Sequence, residues 1–147
     1  MTLTVDASVF VSAARPGEVN HIASFDFVSR VDSEGVRLVC PTLALAESAA
    51  AIARITGDLR AANDLVIEIE SLPGIELIPL STERARKAAA IAINQRLRGA
   101  DAIYAQVAVE EVSLLVTWDS EMLSRASAIV ASITPTDWIN ANPAPAV

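Results

Sequence analysis

The stretch that decides the fold is Thr2-Leu3-Thr4-Val5-Asp6-Ala7-Ser8, in which a short apolar run passes directly into an acid and then into small side chains. Residues Thr2–Asp6 predict a strand, and the residues after it predict a short helix that Arg15-Pro16-Gly17 ends. The pattern recurs near the other end of the chain, where Ser113–Thr117 predicts a strand and Asp119 follows it. Acids placed directly after two strands indicate a functional site at the strand ends.

The rest of the chain alternates between strand and helix patterns, which predicts an α/β fold. Five strands are predicted, at Thr2–Asp6, Val36–Cys40, Ile75–Leu80, Ser113–Thr117 and Ile129–Thr134. Helical periodicity between them predicts a central parallel sheet with right-handed crossovers and helices on both faces, a three-layer α/β/α sandwich. In such sheets, sites form beyond the carboxyl ends of the strands, where the strand order reverses.

Length and composition predict one domain with an aliphatic core. The chain has 147 residues, 52% of them hydrophobic and only 4% aromatic, so Ala, Val, Ile and Leu must fill the interior of a domain at residues 1–139. Residues 140–147, in which Pro143 and Pro145 stand among alanines, are predicted to be a disordered tail. The predicted helix at 20–32 places Ile22, Phe25, Val28 and Val31 on its inward stripe.

Several sequence features favour the cytoplasm. No apolar run approaches the roughly 18 residues that cross a bilayer, and no basic segment precedes an apolar one at the N-terminus. The single cysteine, Cys40, excludes an internal disulfide and is predicted to be a buried, inert thiol. The net charge of −7 weakens an interpretation as a nucleic-acid-binding protein but does not exclude it, because ten of the 11 bases are Arg, whose planar fork suits phosphate.

Four acids are candidates for a shared site, and each also has a simpler explanation. Asp6 and Asp119 could cap the helices that follow them, and Asp101 could complement a helix dipole in a first turn. Glu47 lies inside a predicted helix among apolar neighbours, where a carboxylate is costly unless a cation such as Arg54 compensates it.

The conjunction of these acids favours a metal site. Asp6, Asp101 and Asp119 are predicted at the same edge of the sheet, because strand ends and the following helix starts share that edge. Oxygen ligands without a nearby His or Cys cluster indicate Mg²⁺ or Mn²⁺. Such ions can orient a water for attack on a phosphodiester and neutralise the departing oxygen.

The segments around these acids resemble the four acidic signatures of the PIN-domain ribonucleases, and most closely the small VapC toxins of VapBC toxin–antitoxin pairs. The resemblance extends from about Thr2 to Trp138 and rests on four segments: Val5-Asp6-Ala7-Ser8-Val9, Leu43-Ala44-Leu45-Ala46-Glu47, Leu97-Arg98-Gly99-Ala100-Asp101-Ala102 and Val116-Thr117-Trp118-Asp119. It implies a PIN-like fold and endonucleolytic cleavage of RNA by water activated by Mg²⁺ or Mn²⁺. A homodimer and a cognate antitoxin that blocks the site are further implications.

Carried over position by position, the resemblance assigns roles to particular residues. It implies that the catalytic, metal-holding acids are Asp6, Glu47, Asp101 and Asp119, and that Ser8 and Thr117 support them. Trp118 occupies a variable position and receives no role. Arg96 and Arg98, just before Asp101, are candidates for contact with the RNA backbone, with ordinary surface positions as the alternative. His21 is predicted at a solvated helix position, and Trp138 is predicted to anchor the C-terminus.

Other Asp-using α/β enzymes fit the sequence poorly. A haloacid-dehalogenase-type phosphatase needs a second acid where Ser8 stands, and a phosphoacceptor receiver domain needs an Asp where Leu80 ends the third predicted strand. A dinucleotide site needs glycines in the first turn, and residues 6–8 contain none. The alternative that stays open is a catalytically silent PIN-like module that binds RNA or protein.

Overall fold

The sheet at the centre of the molecule is parallel throughout and has the strand order β3-β2-β1-β4-β5 in the computed structural model, which describes residues 1–144. The strands are β1 (Thr2–Val5), β2 (Arg37–Pro41), β3 (Ile75–Ile78), β4 (Leu114–Val116) and β5 (Ser132–Ile133). The helices are α1 (Ala7–Ala13), α2 (His21–Ser33), α3 (Leu43–Thr56), α4 (Leu59–Glu70), α5 (Thr82–Gln95), α6 (Gly99–Glu110), α7 (Ser120–Arg125) and α8 (Pro135–Ala141), with a 3₁₀ turn at Ala126–Ala128. The predicted α/β/α sandwich with a parallel sheet of about five strands is confirmed.

The strand order reverses between β1 and β4, so a crevice opens beyond their carboxyl ends. Strand β1 pairs with β2 on one side and with β4 on the other, with Val5 opposite Val116. The amide of Asp6 donates to the carbonyl of Val116 at 3.0 Å. Buried hydroxyls of Thr4 and Ser113 join the two strands at 2.6 Å. The bond between Asp6 and Val116 lies at the carboxyl ends of the two strands, which Asp6 and Asp119 follow.

The aliphatic core predicted from composition is observed, and a tryptophan closes one edge of it. Trp138 on α8 is 1% exposed. Its ring meets Phe27 of α2 edge-on at a centroid distance of 5.0 Å, and the Arg30 guanidinium lies 5.2 Å from its centroid. This packing confirms the prediction that Trp138 anchors the C-terminus. It does so through a helix that the sequence analysis does not predict.

Helix α8 also changes the predicted boundary of the tail. Asn140 and Ala141, placed in a disordered tail from the sequence, belong to α8, and residues 142–144 follow without regular structure. The helix begins with a Thr134 cap and with Pro135 in its first turn, which is a favourable start. The remaining part of the predicted tail, residues 145–147, lies outside the described residues.

Two other local predictions are wrong. The buried face of α2 consists of Ser24, Phe27 and Val31, whereas Ile22 and Phe25 are exposed, because the predicted stripe is turned around the helix by about one residue. Strand β3 ends at Ile78 rather than Leu80, since Pro79 has no amide to continue the ladder.

Cys40 is fully buried in β2, as predicted. Burial raises the pKa of its thiol to about 12, which leaves it protonated and unreactive at neutral pH. Among the described helices, none is both long and apolar enough to cross a membrane.

Candidate active site

All four predicted acids line one open cleft at the carboxyl ends of β1 and β4. The cleft has a volume of about 390 Å³, and its lining also includes Ser8 and Arg98. Asp6 follows β1, Glu47 lies on α3, Asp101 lies in the first turn of α6 and Asp119 precedes α7. The topology therefore collects at one place side chains that come from four separate segments of the chain.

Asp6 is the most deeply buried of the four acids, at 7% exposed. Its Oδ2 accepts hydrogen bonds from Ser8 Oγ at 2.6 Å and from Thr117 Oγ1 at 2.9 Å. Burial raises the pKa of Asp6, and the charge of Asp101 adds to this rise, although the two hydroxyls lower it. The simpler explanation of Asp6 as a helix cap is wrong, because its side chain makes no capping bond to α1.

Ser8 and Thr117 join the ends of β1 and β4 around Asp6. Ser8 Oγ accepts from the amide of Trp118 at 3.3 Å, and Thr117 Oγ1 accepts from the amide of Asp119 at 3.0 Å. Each hydroxyl thus donates to Asp6 and accepts from the backbone beyond β4. The structure places both residues where a supporting role requires them.

Asp101 and Asp119 share one arginine. Nε of Arg98 donates to Oδ2 of Asp101 at 2.9 Å, and its Nη2 donates to Oδ2 of Asp119 at 2.8 Å. Burial nevertheless raises the pKa of Asp101, and this effect outweighs the opposite one of Arg98. Asp119 also caps α7, since its Oδ1 accepts from the Met122 amide at 2.8 Å. The capping explanation of Asp119 is therefore confirmed, alongside its place in the cleft.

Glu47 has a neutral partner rather than the predicted cation. The hydroxyl of Tyr104 on α6 donates to Oε2 of Glu47 at 2.7 Å, and no ion pair with Arg54 forms among the described residues. Burial raises the pKa of Glu47, and the Tyr104 bond lowers it in part. The pKa of Tyr104 is raised by burial and by the acids near it, so its hydroxyl remains a donor. The sequence contains a signal for the position of Tyr104. It stands three residues after Asp101 and therefore on the same face of α6, the face toward the acids.

Arg96 and Arg98 have different positions. Arg98 lines the cleft, whereas Arg96 ends α5 in a left-handed conformation with φ 54° and does not line it. The Arg96 carbonyl accepts from Arg125 Nη1. Both arginines are predicted to contact RNA, but of the two only Arg98 lies beside the acids, in a position to contact an RNA phosphate there. His21 lies on α2, with Nδ1 3.0 Å from the Ser12 carbonyl, and is not part of the cleft lining.

The cleft offers oxygen ligands that suit a hard divalent cation. Asp6 Oδ1, Glu47 Oε1 and Asp101 Oδ1 accept no hydrogen bond from the described part of the chain, while their companion oxygens do. Carboxylates alone, without sulfur or imidazole, are the donors that Mg²⁺ and Mn²⁺ prefer. Within residues 1–144, however, no three such side chains already stand close enough to hold an ion. The Arg98 guanidinium neutralises two of the acids instead.

The sequence profile of the PIN domain matches residues 3–128. The chain belongs to the PIN domain family. The match covers all four acids of the cleft and ends before α8. No characterised protein in the curated collections has a significantly similar sequence.

Solved structures similar to this PIN domain share its fold over nearly their whole length. PAE2754 from Pyrobaculum aerophilum is 23% identical with a TM-score of 0.69, and the alignment covers 96% of this chain and 94% of that one. VapC20 from Mycobacterium tuberculosis, a sarcin-ricin loop cleaving toxin, is 16% identical with a TM-score of 0.71 and coverages of 87% and 96%. VapBC2 from Rickettsia felis, bound to a promoter DNA fragment, is 13% identical with a TM-score of 0.67 and coverages of 91% and 98%.

Proposed function

We propose that this PIN domain is an endoribonuclease that depends on Mg²⁺ or Mn²⁺. The observation that supports the proposal is the convergence of Asp6, Glu47, Asp101 and Asp119 on one cleft at the strand-order reversal. Burial raises the pKa of the first three, so their charges are costly without a cation. A site that concentrates carboxylates in this way is suited to metal-assisted phosphodiester hydrolysis.

The four acids share one task in this proposal, and two hydroxyls support it. Asp6, Glu47, Asp101 and Asp119 would hold the ion, which supplies an activated water and neutralises the departing oxygen. Ser8 and Thr117 direct the free Oδ1 of Asp6 into the cleft by binding Oδ2.

Tyr104 and Arg98 complete the chemistry of the cleft. Tyr104 directs the free Oε1 of Glu47 in the way that the two hydroxyls direct Asp6, because it binds Oε2. Arg98 has a side chain that is 67% exposed, so its guanidinium can turn from the acids toward a phosphate oxygen.

We further propose that the chain is the toxin of a toxin–antitoxin pair and acts on RNA in the cytoplasm as a homodimer. Among proteins with similar structures are a toxin that cleaves the sarcin-ricin loop and a VapBC complex. The surface also has apolar side chains suited to a protein partner, since Val19, Ile22 and Phe25 are 91%, 83% and 59% exposed. An antitoxin that covers them and reaches the cleft would block the acids.

The nuclease proposal is tested with purified protein and structured RNAs. Cleavage is expected with Mg²⁺ or Mn²⁺ and should stop when a chelator is added. Asp6→Asn and Asp101→Asn should each lower the rate by at least about a hundredfold, whereas Asp64→Asn, at an exposed position of α4, should cleave like wild type. Cleavage that persists in the two cleft variants would show that another nuclease is responsible.

The toxin proposal is tested by co-expression with the product of the adjacent gene. A stable complex that no longer cleaves RNA is expected, and size-exclusion chromatography with light scattering should show a dimer of the free chain. If the product of the adjacent gene neither binds this protein nor inhibits its cleavage of RNA, the antitoxin part of the proposal is wrong.

A second function, an RNA-binding module that does not cut, is favoured by one observation. Arg98 pairs with both Asp101 and Asp119, so a cation of the protein itself already compensates two of the four cleft carboxylates. Tight RNA binding without cleavage in either metal would support this function over the nuclease.

A further inference from the structure

One aromatic side chain in the cleft has no part in the geometry of the acids. Trp118 stands directly before Asp119, is partly exposed and lines the cleft with Ala7, Val11 and Ala51. The Trp118 side chain packs partly against the hydrophobic core, and the rest of it is accessible from the cleft beside the carboxylates.

The Trp118 ring is held in place by a buried chain of hydroxyls. Its Nε1 donates to Ser24 Oγ at 2.8 Å, and Ser24 Oγ lies 2.6 Å from Ser12 Oγ. Ser12 Oγ donates to the Ser8 carbonyl at 2.8 Å. Because Ser12 donates its single hydroxyl proton to the Ser8 carbonyl, Ser12 Oγ accepts from Ser24, whose own Oγ accepts from the indole.

The backbone of the same residue is fixed as well. The amide of Trp118 donates to Ser8 Oγ, the hydroxyl that also binds Asp6. Ser24 is fully buried and Ser12 is 4% exposed, so the anchoring chain is shielded from competing water. An aromatic ring that is immobilised before a ligand arrives loses little entropy when the ligand binds.

We infer that the face of Trp118 is a stacking platform for a nucleobase next to the scissile phosphate. The inference rests on the proposed function, because the acids must receive the phosphate for its neighbouring base to reach the ring. Bases stack on aromatic side chains in a way that tolerates any sequence. Ala7, Val11 and Ala51 offer only alkyl side chains, so this subsite selects an unstacked base rather than a particular base edge.

The subsite is tested by tryptophan fluorescence, separately from cleavage. The chain has two tryptophans, and Trp138 is 1% exposed, so quenching by RNA reports on Trp118. The probes are a short single-stranded RNA and a set of the same RNAs that each lack one base. The titrations are done in Ca²⁺, because this ion neutralises the carboxylates but accepts a less strict coordination geometry than Mg²⁺ does. Wild type should be quenched by the intact RNA, and one abasic RNA should bind about fivefold to a hundredfold more weakly.

Variants at Trp118 give matched controls. Because these variants lack Trp118, their affinities are measured from the fluorescence anisotropy of end-labelled RNA, with wild type measured in the same way. Trp118→Leu should lose the same factor in affinity for intact RNA and should bind the sensitive abasic RNA as wild type does. Trp118→Phe retains a stacking face and should keep most of the affinity. Thermal melts check that both variants fold. Even if the Leu variant fails to fold, the abasic series on wild type tests the inference.

The outcomes separate this inference from the nuclease proposal. Absence of quenching, or equal affinity of wild type for the intact RNA and every abasic RNA, would overturn the stacking platform even if RNA is cleaved. Quenching and a sensitive abasic position, without cleavage in Mg²⁺ or Mn²⁺, would keep the platform and reject the nuclease.

Discussion

Arg98 binds two of the four cleft acids, Asp101 and Asp119. The four acids are recognisable from the sequence because each stands in a local pattern of strand end or apolar helix. The bridge that Arg98 makes to Asp101 and Asp119 is not recognisable, since it depends on where α7 begins relative to α6. The Tyr104–Glu47 and Trp118–Ser24 bonds join residues 57 and 94 positions apart, and they are hidden from local patterns for the same reason.

Replacement of Arg98 should increase the response of the protein to metal. In Arg98→Gln, Asp101 and Asp119 lose their shared cation, so the metal-free protein should lose up to about 1 kcal/mol of its free energy of unfolding, a small value because the arginine is exposed. Mg²⁺ no longer competes with the guanidinium, and the rise in melting temperature on adding Mg²⁺ should be larger than in wild type.

Arg84→Gln is the matched control for this prediction. Arg84 pairs with Glu110 at 2.8 Å, away from the cleft lining. Thermal melts with and without Mg²⁺ should give the same metal-induced rise for Arg84→Gln and wild type. If Arg98→Gln also shows the wild-type rise, the guanidinium and the ion do not share a site.

At the scale of the elements, sequence patterns predict helices at about 42–55, 58–71, 81–97, 100–111 and 121–126, besides the one after Asp6 and the one at 20–32. They therefore locate every strand and all helices except α8. The helix bounds agree closely because their ends contain recognisable signals, such as Gly57 after α3 with φ 69° and the Ser81 cap before α5. Helix α8 was not predicted from the sequence, although Pro135 stands in its first turn, where proline is favourable. The inward face of α2 was misassigned because buried Ser24 is polar, and its partner Trp118 lies far along the chain.

The connection between α6 and β4 stores strain. Val112 is 91% exposed and has φ 50°, a left-handed conformation that is unfavourable for a β-branched residue by about 1–2 kcal/mol. Val112→Gly should therefore raise the free energy of unfolding by up to about 1 kcal/mol, even though glycine adds entropy to the unfolded chain. Urea unfolding measures this change.

The same substitution at a neighbouring helical position should have the opposite sign. Val109 lies in α6 and is 43% exposed, so Val109→Gly should lower the free energy of unfolding by about 0.5 kcal/mol or more. A loss of stability in both variants would mean that Val112 is not strained in solution.

At the scale of the whole molecule, the cleft acids should make stability depend on pH. The pKa values of Asp6, Glu47 and Asp101 are raised in the folded protein from 3.8, 4.5 and 3.8 respectively. Between its pKa in the unfolded chain and its raised pKa in the folded protein, each acid binds more protons in the folded state. The contribution of these acids to stability therefore falls as pH rises through that window. The contribution of these acids to the stability of the metal-free protein should therefore grow as the pH is lowered from neutral toward their unfolded values.

Urea unfolding at several pH values, with chelator and with Mg²⁺, measures this linkage. Asp6→Asn should reduce the gain at lower pH, because one of the responsible groups no longer titrates. Mg²⁺ should also reduce it, since a bound ion removes the cost of the ionised acids. A metal-free protein that loses stability steadily from pH 7 to pH 5 would contradict the raised pKa values.

The central position of β1 has a consequence for how the protein is made. Its neighbour β4 is synthesised more than a hundred residues later, and Asp119 follows that strand. A nascent chain therefore lacks one acid and the strand that positions it until β4 and Asp119 have been synthesised. If the assembled cleft cuts RNA, chains that terminate before β4 lack the complete set of acids and should not cut the messenger or the ribosome that made them.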